Sequence, residues 1–328
     1  MISFRSRTLV VAIALLAVSL GSVAGSAQTA DLAAIQPQSC DDPDDSITLF
    51  AERLGPNRIG YGLSPGSARV PGPTIALTEG ECIHINLVND TNRNLGFHPH
   101  GVDYTVASDG TPVNSSCVRP GRSRTYVIAS HAPQMRTDGT VDPGNAGYWH
   151  YHDHCMGTPH GTVGVESGLF GALIVRKPDD PVPDKGPYVL TMIGRTFNLR
   201  RAPSTPMPRA NMGERVEFVV IGHGDLHHTF HLHGHRWMNN RTGFPVTIED
   251  DTELIDNKSI GPADSFGFQI VAGEHVGPGA WMYHCHVQNH SDLGMNGLFI
   301  VRTPEGEINE QTQAAIERWR ELESGLHH

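Results

Sequence analysis

The sequence predicts an all-β protein of two tandem Greek-key β-sandwich domains with a short C-terminal helix or tail. Three observations carry this. The chain repeats itself at a spacing of about 130 residues. Its apolar residues fall in short alternating runs. Its 328 residues include 36 glycines and 23 prolines, the composition of a protein with many tight turns.

Four landmarks recur in one order. Thr78-Glu79-Gly80-Glu81 returns as Asn211-Met212-Gly213-Glu214, and His98-Pro99-His100-Gly101 returns as His231-Leu232-His233-Gly234. Gly147-Tyr148-Trp149-His150-Tyr151-His152-Asp153-His154 returns as Gly279-Ala280-Trp281-Met282-Tyr283-His284-Cys285-His286. Gly168-Leu169-Phe170 and the later Ile174-Val175-Arg176 align with Gly297-Leu298-Phe299-Ile300-Val301-Arg302. Strands are expected at 82–88 and 215–221, where β-branched or alternating apolar residues run between turns. The first domain is placed at 45–177 and the second at 186–304. A linker at 176–186 carries Pro178, Pro181 and Pro183. Residues 308–322 have helical character, and 305–328 are expected as a C-terminal helix or tail outside the second sandwich.

Arg5 and Arg7, an apolar run from Leu9 to Leu20, and the small residues Ala24 and Ala27 read as an export leader over 1–27. That run is short for a membrane span, so the mature protein is expected to be secreted or periplasmic. A net charge of -11 speaks against nucleic acid or an anionic membrane surface as a partner. There are five cysteines. Disulfides persist in exported proteins, and an odd count leaves one thiol over. Cys285, between two histidines, is the natural odd one out. Cys40, Cys82, Cys117 and Cys155 allow two bridges whose pairing stays open.

Among 20 histidines, four His-X-His pairs stand out: His98/His100, His152/His154, His231/His233 and His284/His286. Residues two apart on a strand share a face, so each pair can present two imidazoles to one site. One such pair is commonly incidental, but four, matched between the repeats, form a pattern. Imidazole suits copper, zinc or iron. Cys285 decides among them. On a strand its sulfur faces away from His284 and His286. With His228 upstream and His290 and Met295 downstream, it completes the two-histidine, thiolate and methionine set of a blue-copper site. A lone buried cysteine is ordinarily just a packed thiol; the flanking histidines argue otherwise. His150, His235 and His227 are the nearest competitors for ligand roles. His84, His131, His160, His223 and His275 are expected to be surface or supporting residues.

These motifs resemble the multicopper oxidases. His228-Thr229-Phe230-His231-Leu232-His233-Gly234 resembles the family's H-x-x-H-x-H motif. His284-Cys285-His286 with His290 and Met295 resembles H-C-H-x3-H-x4-M. The two N-terminal pairs resemble the remaining motifs, and the resemblance covers nearly all of the mature chain. With no room for a third domain, the chain looks like a small two-domain laccase with cupredoxin-like domains. The resemblance implies four coppers per chain: type 1 at His228, Cys285, His290 and Met295; type 2 at His98 and His231; and a type 3 pair at His100, His152, His154, His233, His284 and His286. Asp153 stands where the second repeat has Cys285, and a carboxylate cannot form the copper–thiolate bond, so one type 1 site is expected.

Small phenols or aromatic amines would then be oxidised and dioxygen reduced to water. Protons must reach the oxygen site. Asp109 and Asp103 are candidate relays, against an ordinary role in turns. Tyr104 is a candidate electron donor, against an ordinary role in packing. Each domain supplies half of the eight histidines, so a domain interface must complete the cluster; the family implies a homotrimer with that site between chains. Three rivals share parts of this pattern. A copper nitrite reductase would carry its cysteine in the first domain. A ferroxidase or cuprous oxidase would want carboxylates or methionines beside the type 1 site, and Glu249, Asp250, Asp251 and Glu253 form an acidic run of open placement. A copper-sequestering protein would not need a thiolate wired to an oxygen site.

Overall fold

Strand alternation sorts each repeat into a sandwich. The computed structural model describes residues 40–325; the leader predicted over 1–27 lies outside them. In the first half, one sheet runs in the order Arg58–Gly62, Asp45–Gly55, Cys82–Asn89, Ser123–Ala129. The facing sheet runs Ile75–Thr78, Phe170–Arg176, Gly147–His152, His98–Pro99. Asp45–Gly55 lies parallel to Cys82–Asn89 and antiparallel to Arg58–Gly62, which is the cupredoxin-like Greek-key crossover. Ile83, Ile85, Leu87, Tyr126 and Ile128 meet Leu173, Tyr151 and Phe97 between the sheets.

The second half repeats this plan. Its back sheet is Thr196–Phe197, Lys185–Ile193, Arg215–His223, Ser265–Val271. Its front sheet is Arg209–Asn211, Asn296–Arg302, Gly279–Cys285, His228–Leu232, Asn257–Ile260. Register corrects one landmark. Phe170 pairs with His152, whereas Asn296 pairs with His284. Gly297 therefore corresponds to Gly171, not Gly168. Both glycines lie under a tyrosine ring: a Cβ would come within 2.4 Å of the Tyr151 ring at Gly171 and within 2.4 Å of Tyr283 at Gly297.

The open disulfide question resolves as Cys40–Cys82 and Cys117–Cys155, with Cys285 free and buried. Among the described residues no helix is long and apolar enough to cross a membrane.

The halves dock through one face of the Gly147–His152 strand. Trp149 and Tyr151 point into the first core, while Tyr148, with Ala172 and Ile174, packs on Val219 and Ile221 of the second half's back sheet. A buried polar knot closes the seam. Glu217, fully buried, accepts from Arg176 Nη1 at 2.9 Å, from Arg176 Nη2 at 2.7 Å and from Tyr148 Oη at 2.8 Å. The 176–186 segment is tied down as well: Arg241 pairs with Asp180, and Gln269 donates to the Pro181 carbonyl.

The C-terminal segment forms the helix Glu310–Gly325. Its Ile316 and Trp319 cover Ala280, Met282, Leu298 and Ile300 on the outer side of the front sheet. Ala280 is the repeat partner of Tyr148. The face that docks onto the back sheet in the first half is therefore covered by this helix in the second.

Removing one partner of a buried ion pair strands the other charge, at about 3–5 kcal/mol. Glu217→Ala should cost about that much in urea denaturation and split unfolding into two transitions as the halves uncouple. A single transition at the wild-type midpoint would show that the seam does not depend on this pair.

Candidate copper centre

Alternation along Gly279–Cys285 sends Trp281, Tyr283 and Cys285 inward and His284 outward. The buried Cys285 sulfur lies 3.7 Å from His228 Nδ1 and 3.5 Å from His290 Nδ1. His228 opens its own strand, and His290 sits on the short helix Gln288–Asp292. Met295 is buried beside them. Its N–H donates to the His290 carbonyl at 3.0 Å, and its carbonyl accepts from Cys285 N–H at 3.1 Å. Burial pushes the Cys285 thiol up and lowers His228 to about 4, with His290 and His227 adding to the latter shift. Burial, then the Arg195 guanidinium, lowers His290. Neutral imidazoles and a thiol that will ionise only beside a cation are the donor set a soft metal wants.

The His-X-His pairs form two further groups. His98, His100 and His152 can bring one ligand atom each within 4.8 Å of one another, and so can His231, His233 and His284. His154 packs against the His98 and His152 rings at 5.0 and 5.6 Å, and His286 against His231 and His284 at 5.5 and 5.2 Å. Backbone carbonyls aim the rings. Nδ1 of His98 donates to Asp109 O, of His152 to Asp153 O, of His154 to Pro159 O, of His231 to Asp256 O and of His284 to Cys285 O, at 2.7–3.0 Å. A carbonyl only accepts, so in these rings Nδ1 holds the proton and Nε2 keeps its lone pair. His100 Nε2 and His152 Nε2 are 3.1 Å apart, and His233 Nε2 and His284 Nε2 are 3.2 Å apart. Each contact needs a proton or a metal ion between the nitrogens. Burial, with neighbouring histidines, lowers His100 and His233 to about 4. A proton would serve one pair only; a metal ion serves every imidazole around the point. Two ligands about 2.0–2.1 Å from a tetrahedral ion stand about 3.3 Å apart, so the residues fit metal.

The two groups are separate. Among the described residues no imidazole of the first contacts one of the second. The reason lies in the docking: the histidine face of the first half turns toward the back sheet of the second, whose own histidines sit on the front sheet.

Asp109 and Tyr104 lie at the first group. The Asp109 carboxylate is 3.5 Å from His98 Nδ1 and accepts from Asn114 Nδ2 and the Thr111 hydroxyl. Tyr104 stands edge-on to His98, with ring centroids 6.1 Å apart, and burial followed by Asp109 raises its pKa. Asp103 is engaged elsewhere: it pairs with His131, which also pairs with Asp142. Asp153 fills the place of Cys285. Its buried carboxylate accepts from the N–H groups of Gly96, Met156 and Cys155, and burial still pushes it up to about 7.

Two further histidines pack beside the first group. His150, two before His152 and so on its face, stacks on His100 at 4.0 Å. His223, from the second half, meets His150 at 4.9 Å and His152 at 5.3 Å. The period of two puts His150 among the competitors for a ligand role; His223, expected to be a surface or supporting residue, packs as a supporting one, though nothing local places it across the seam. His235 binds backbone, accepting from Gly273 N–H and contacting His233 O, and His84 pairs with Cys40 O.

Two cupredoxin-like sandwiches thus carry a cysteine–histidine group and two histidine groups able to hold metal. Residues 67–180 and 181–305 each match a domain of the multicopper oxidase family, and the chain belongs to that family. It is 34% identical over 265 residues to a probable nitrite reductase-hydroxylamine oxidoreductase fusion protein of Kuenenia stuttgartiensis, covering 74% of this chain and 28% of that protein. It is 25% identical over 284 residues to human (Homo sapiens) ceruloplasmin, covering 70% of this chain and 25% of that one. Against putative laccase-9 of Oryza sativa subsp. japonica it is 33% identical over 122 residues, or 36% of this chain and 19% of the relative. The chain thus spans at most 28% of the length of these relatives. A blue copper oxidase structure from Nitrosomonas europaea aligns with TM-score 0.58 at 24% identity over 87% of this chain and 95% of its own. A copper nitrite reductase structure from that organism aligns with TM-score 0.59 at 19% identity over 81% and 98%. At these identities both show the fold alone.

Gly101 follows the first histidine pair at φ +73°, and a Cβ there would lie 2.0 Å from the Trp149 ring. Gly101→Ala should lower the metal retained at the first histidine group, measured by copper analysis after dialysis. Gly121, at φ +65° in open space, is the control: Gly121→Ala should cost about 1 kcal/mol of strain and no copper. Equal copper in the two variants would show that Gly101 does not place the pair.

Proposed function

We propose that this multicopper oxidase is laccase-like, taking single electrons from small phenols or aromatic amines and passing them to dioxygen. The observation that carries the reading is the strand end His284-Cys285-His286. Its thiolate faces His228, His290 and Met295, and its two imidazoles face the histidine group. Copper, when bound, would supply one-electron redox chemistry at Cys285 and four-electron oxygen reduction among the histidines. We assign four coppers per chain: type 1 at His228, Cys285, His290 and Met295, type 2 at His98 and His231, and the type 3 pair at His100, His152, His154, His233, His284 and His286.

What the residues themselves do is more specific. Three consecutive residues give the shortest covalent path between the two environments. Burial of Cys285 keeps water from the sulfur. Asp109, beside His98 and partly open to solvent, holds a proton-accepting carboxylate at the edge of the oxygen site; Asp103 is paired with His131 instead. Tyr104 stands where it can buffer an electron. Asp153 argues against the nitrite reductase arrangement, because the matching place in the first half holds no thiolate.

We further propose a homotrimer in which the first half of one chain meets the second half of the next. The separation of the histidine groups within one chain supports this, because heterologous contacts can close into a ring. Export is proposed on the two disulfides together with the leader pattern.

Cys285→Ser should abolish the intense blue band and phenol oxidation while most other copper stays. His152→Ala or His233→Ala should keep the band and stop oxygen uptake. A Ser variant that stays blue sinks the type 1 assignment, and an oxygen-consuming His variant removes that histidine from the cluster.

The assembly has its own test. Neither a His98→Ala chain nor a His231→Ala chain should be active alone, and co-refolded mixtures should regain some intact sites. An active monomer by native mass spectrometry, with full copper, would refute the inter-chain site.

A further inference from the structure

The strongest unassigned feature lies outside the copper ligands, where the C-terminal helix meets Asn296. This buried amide follows Met295 directly and pairs in register with His284. Its Oδ1 accepts from Trp319 Nε1 at 2.8 Å, and its Nδ2 donates to Glu323 Oε1 at 3.0 Å. The orientation is fixed by chemistry: an indole N–H only donates and a carboxylate only accepts. A weaker third bond, 3.4 Å from Nδ2 to the Ser291 carbonyl, reaches the segment carrying His290. Thr205 Oγ1 holds the Asn296 carbonyl at 2.8 Å.

The surrounding backbone makes this amide a junction. Cys285 N–H donates to Met295 O, and Met295 N–H donates to His290 O. Three of the four thiolate-site residues are thus joined within one residue of Asn296 or through Ser291. The first half offers the contrast. There Phe170 occupies the register position of Asn296, packs against His223, and serves no thiolate. Glu323 makes the point sharper. It is buried, and its second oxygen, Oε2, has no hydrogen-bond partner among the described residues. Burying a carboxylate for one hydrogen bond is costly, and covering Ala280 and Met282 required no carboxylate at all.

We propose that the C-terminal helix is a positioning element of the thiolate site: Trp319 and Glu323, acting through Asn296, hold the segment that carries His290 and Met295. The proposal rests on the type 1 reading of Cys285. Neither Trp319 nor Glu323 touches the metal position; both set the geometry of the residues that do.

Copper-loaded full-length variants give the test, read by the visible spectrum, EPR and redox titration of the blue copper. Trp319→Phe keeps an aromatic ring, smaller than the indole, and removes the N–H. Glu323→Ala removes the acceptor, and Glu323→Gln keeps one. Each of the first two should change the one-electron reduction equilibrium at least tenfold, about 59 mV, and alter the copper EPR splitting. Glu323→Gln should return both close to wild type. Ile316→Val loosens the same helix without touching Asn296, and should lower the denaturation midpoint only. Should Glu323→Ala not fold, Trp319→Phe decides alone. Unshifted potential and EPR in the folded variants, or an equal shift in Ile316→Val, would overturn the positioning role. A wild-type protein that binds copper without a blue band would instead overturn the type 1 reading itself.

Discussion

The molecule is organised by how its first half docks on its second. Tyr148, His150 and His152 share one face of a strand, and the Tyr148 end of that face is committed to the back sheet of the second half. The Arg176–Glu217–Tyr148 knot makes the commitment expensive to undo, since a buried charge left alone costs several kcal/mol. Once that contact is made, the first histidine group looks toward the wrong side of the second sandwich. The two groups stay apart within one chain. The docking also shapes the first group, because His223 crosses the seam to pack on His150 and His152.

Within the second half, the controlling constraint is the period of two. A strand cannot place neighbouring side chains on one face, so Cys285 and its two histidines must serve different environments. The first half has the same strand and the same histidines but a carboxylate between them. Asp153 spends its oxygens on three backbone N–H groups, and a Cβ on Gly164 would lie 2.1 Å from it. That carboxylate holds a loop closed where the second half has its thiol.

Period-two spacing explains why so much was legible in the sequence. His98/His100, His152/His154 and their repeat partners write a common face directly into adjacent letters, and Cys285 breaks that pattern in one position. The two sandwiches were legible for the same reason, since short alternating runs recur at matched spacing. What was not legible depends on long-range packing. The bridges Cys40–Cys82 and Cys117–Cys155 follow from strand and loop neighbours far apart in sequence. His223 is supporting only because the halves dock. The Gly168-Leu169-Phe170 landmark misled because letter identity favoured Gly297-Leu298-Phe299, while the ladder sets Phe170 opposite His152 and Asn296 opposite His284. The connection from His152 to Phe170, which carries the helix Thr162–Ser167, is longer than that from His284 to Asn296, which carries Gln288–Asp292, and this difference hides the true register.

The duplicated halves therefore diverge where their environments diverge. Both carry an outward strand face next to a histidine pair, and an exposed apolar face of that kind must be covered. The first half uses the second half as its cover, with an aromatic Tyr148 at the contact and Phe170 in apolar surroundings. In the second half the helix Glu310–Gly325 takes that place, over the smaller Ala280. A domain surface covers by shape, and a single helix covers by a few side chains. Ile316 and Trp319 supply the apolar part, and Asn296 with Glu323 supplies the polar part, beside the loop that carries His290 and Met295. The half that needs its loop held in one geometry is the half whose cover makes specific hydrogen bonds to it.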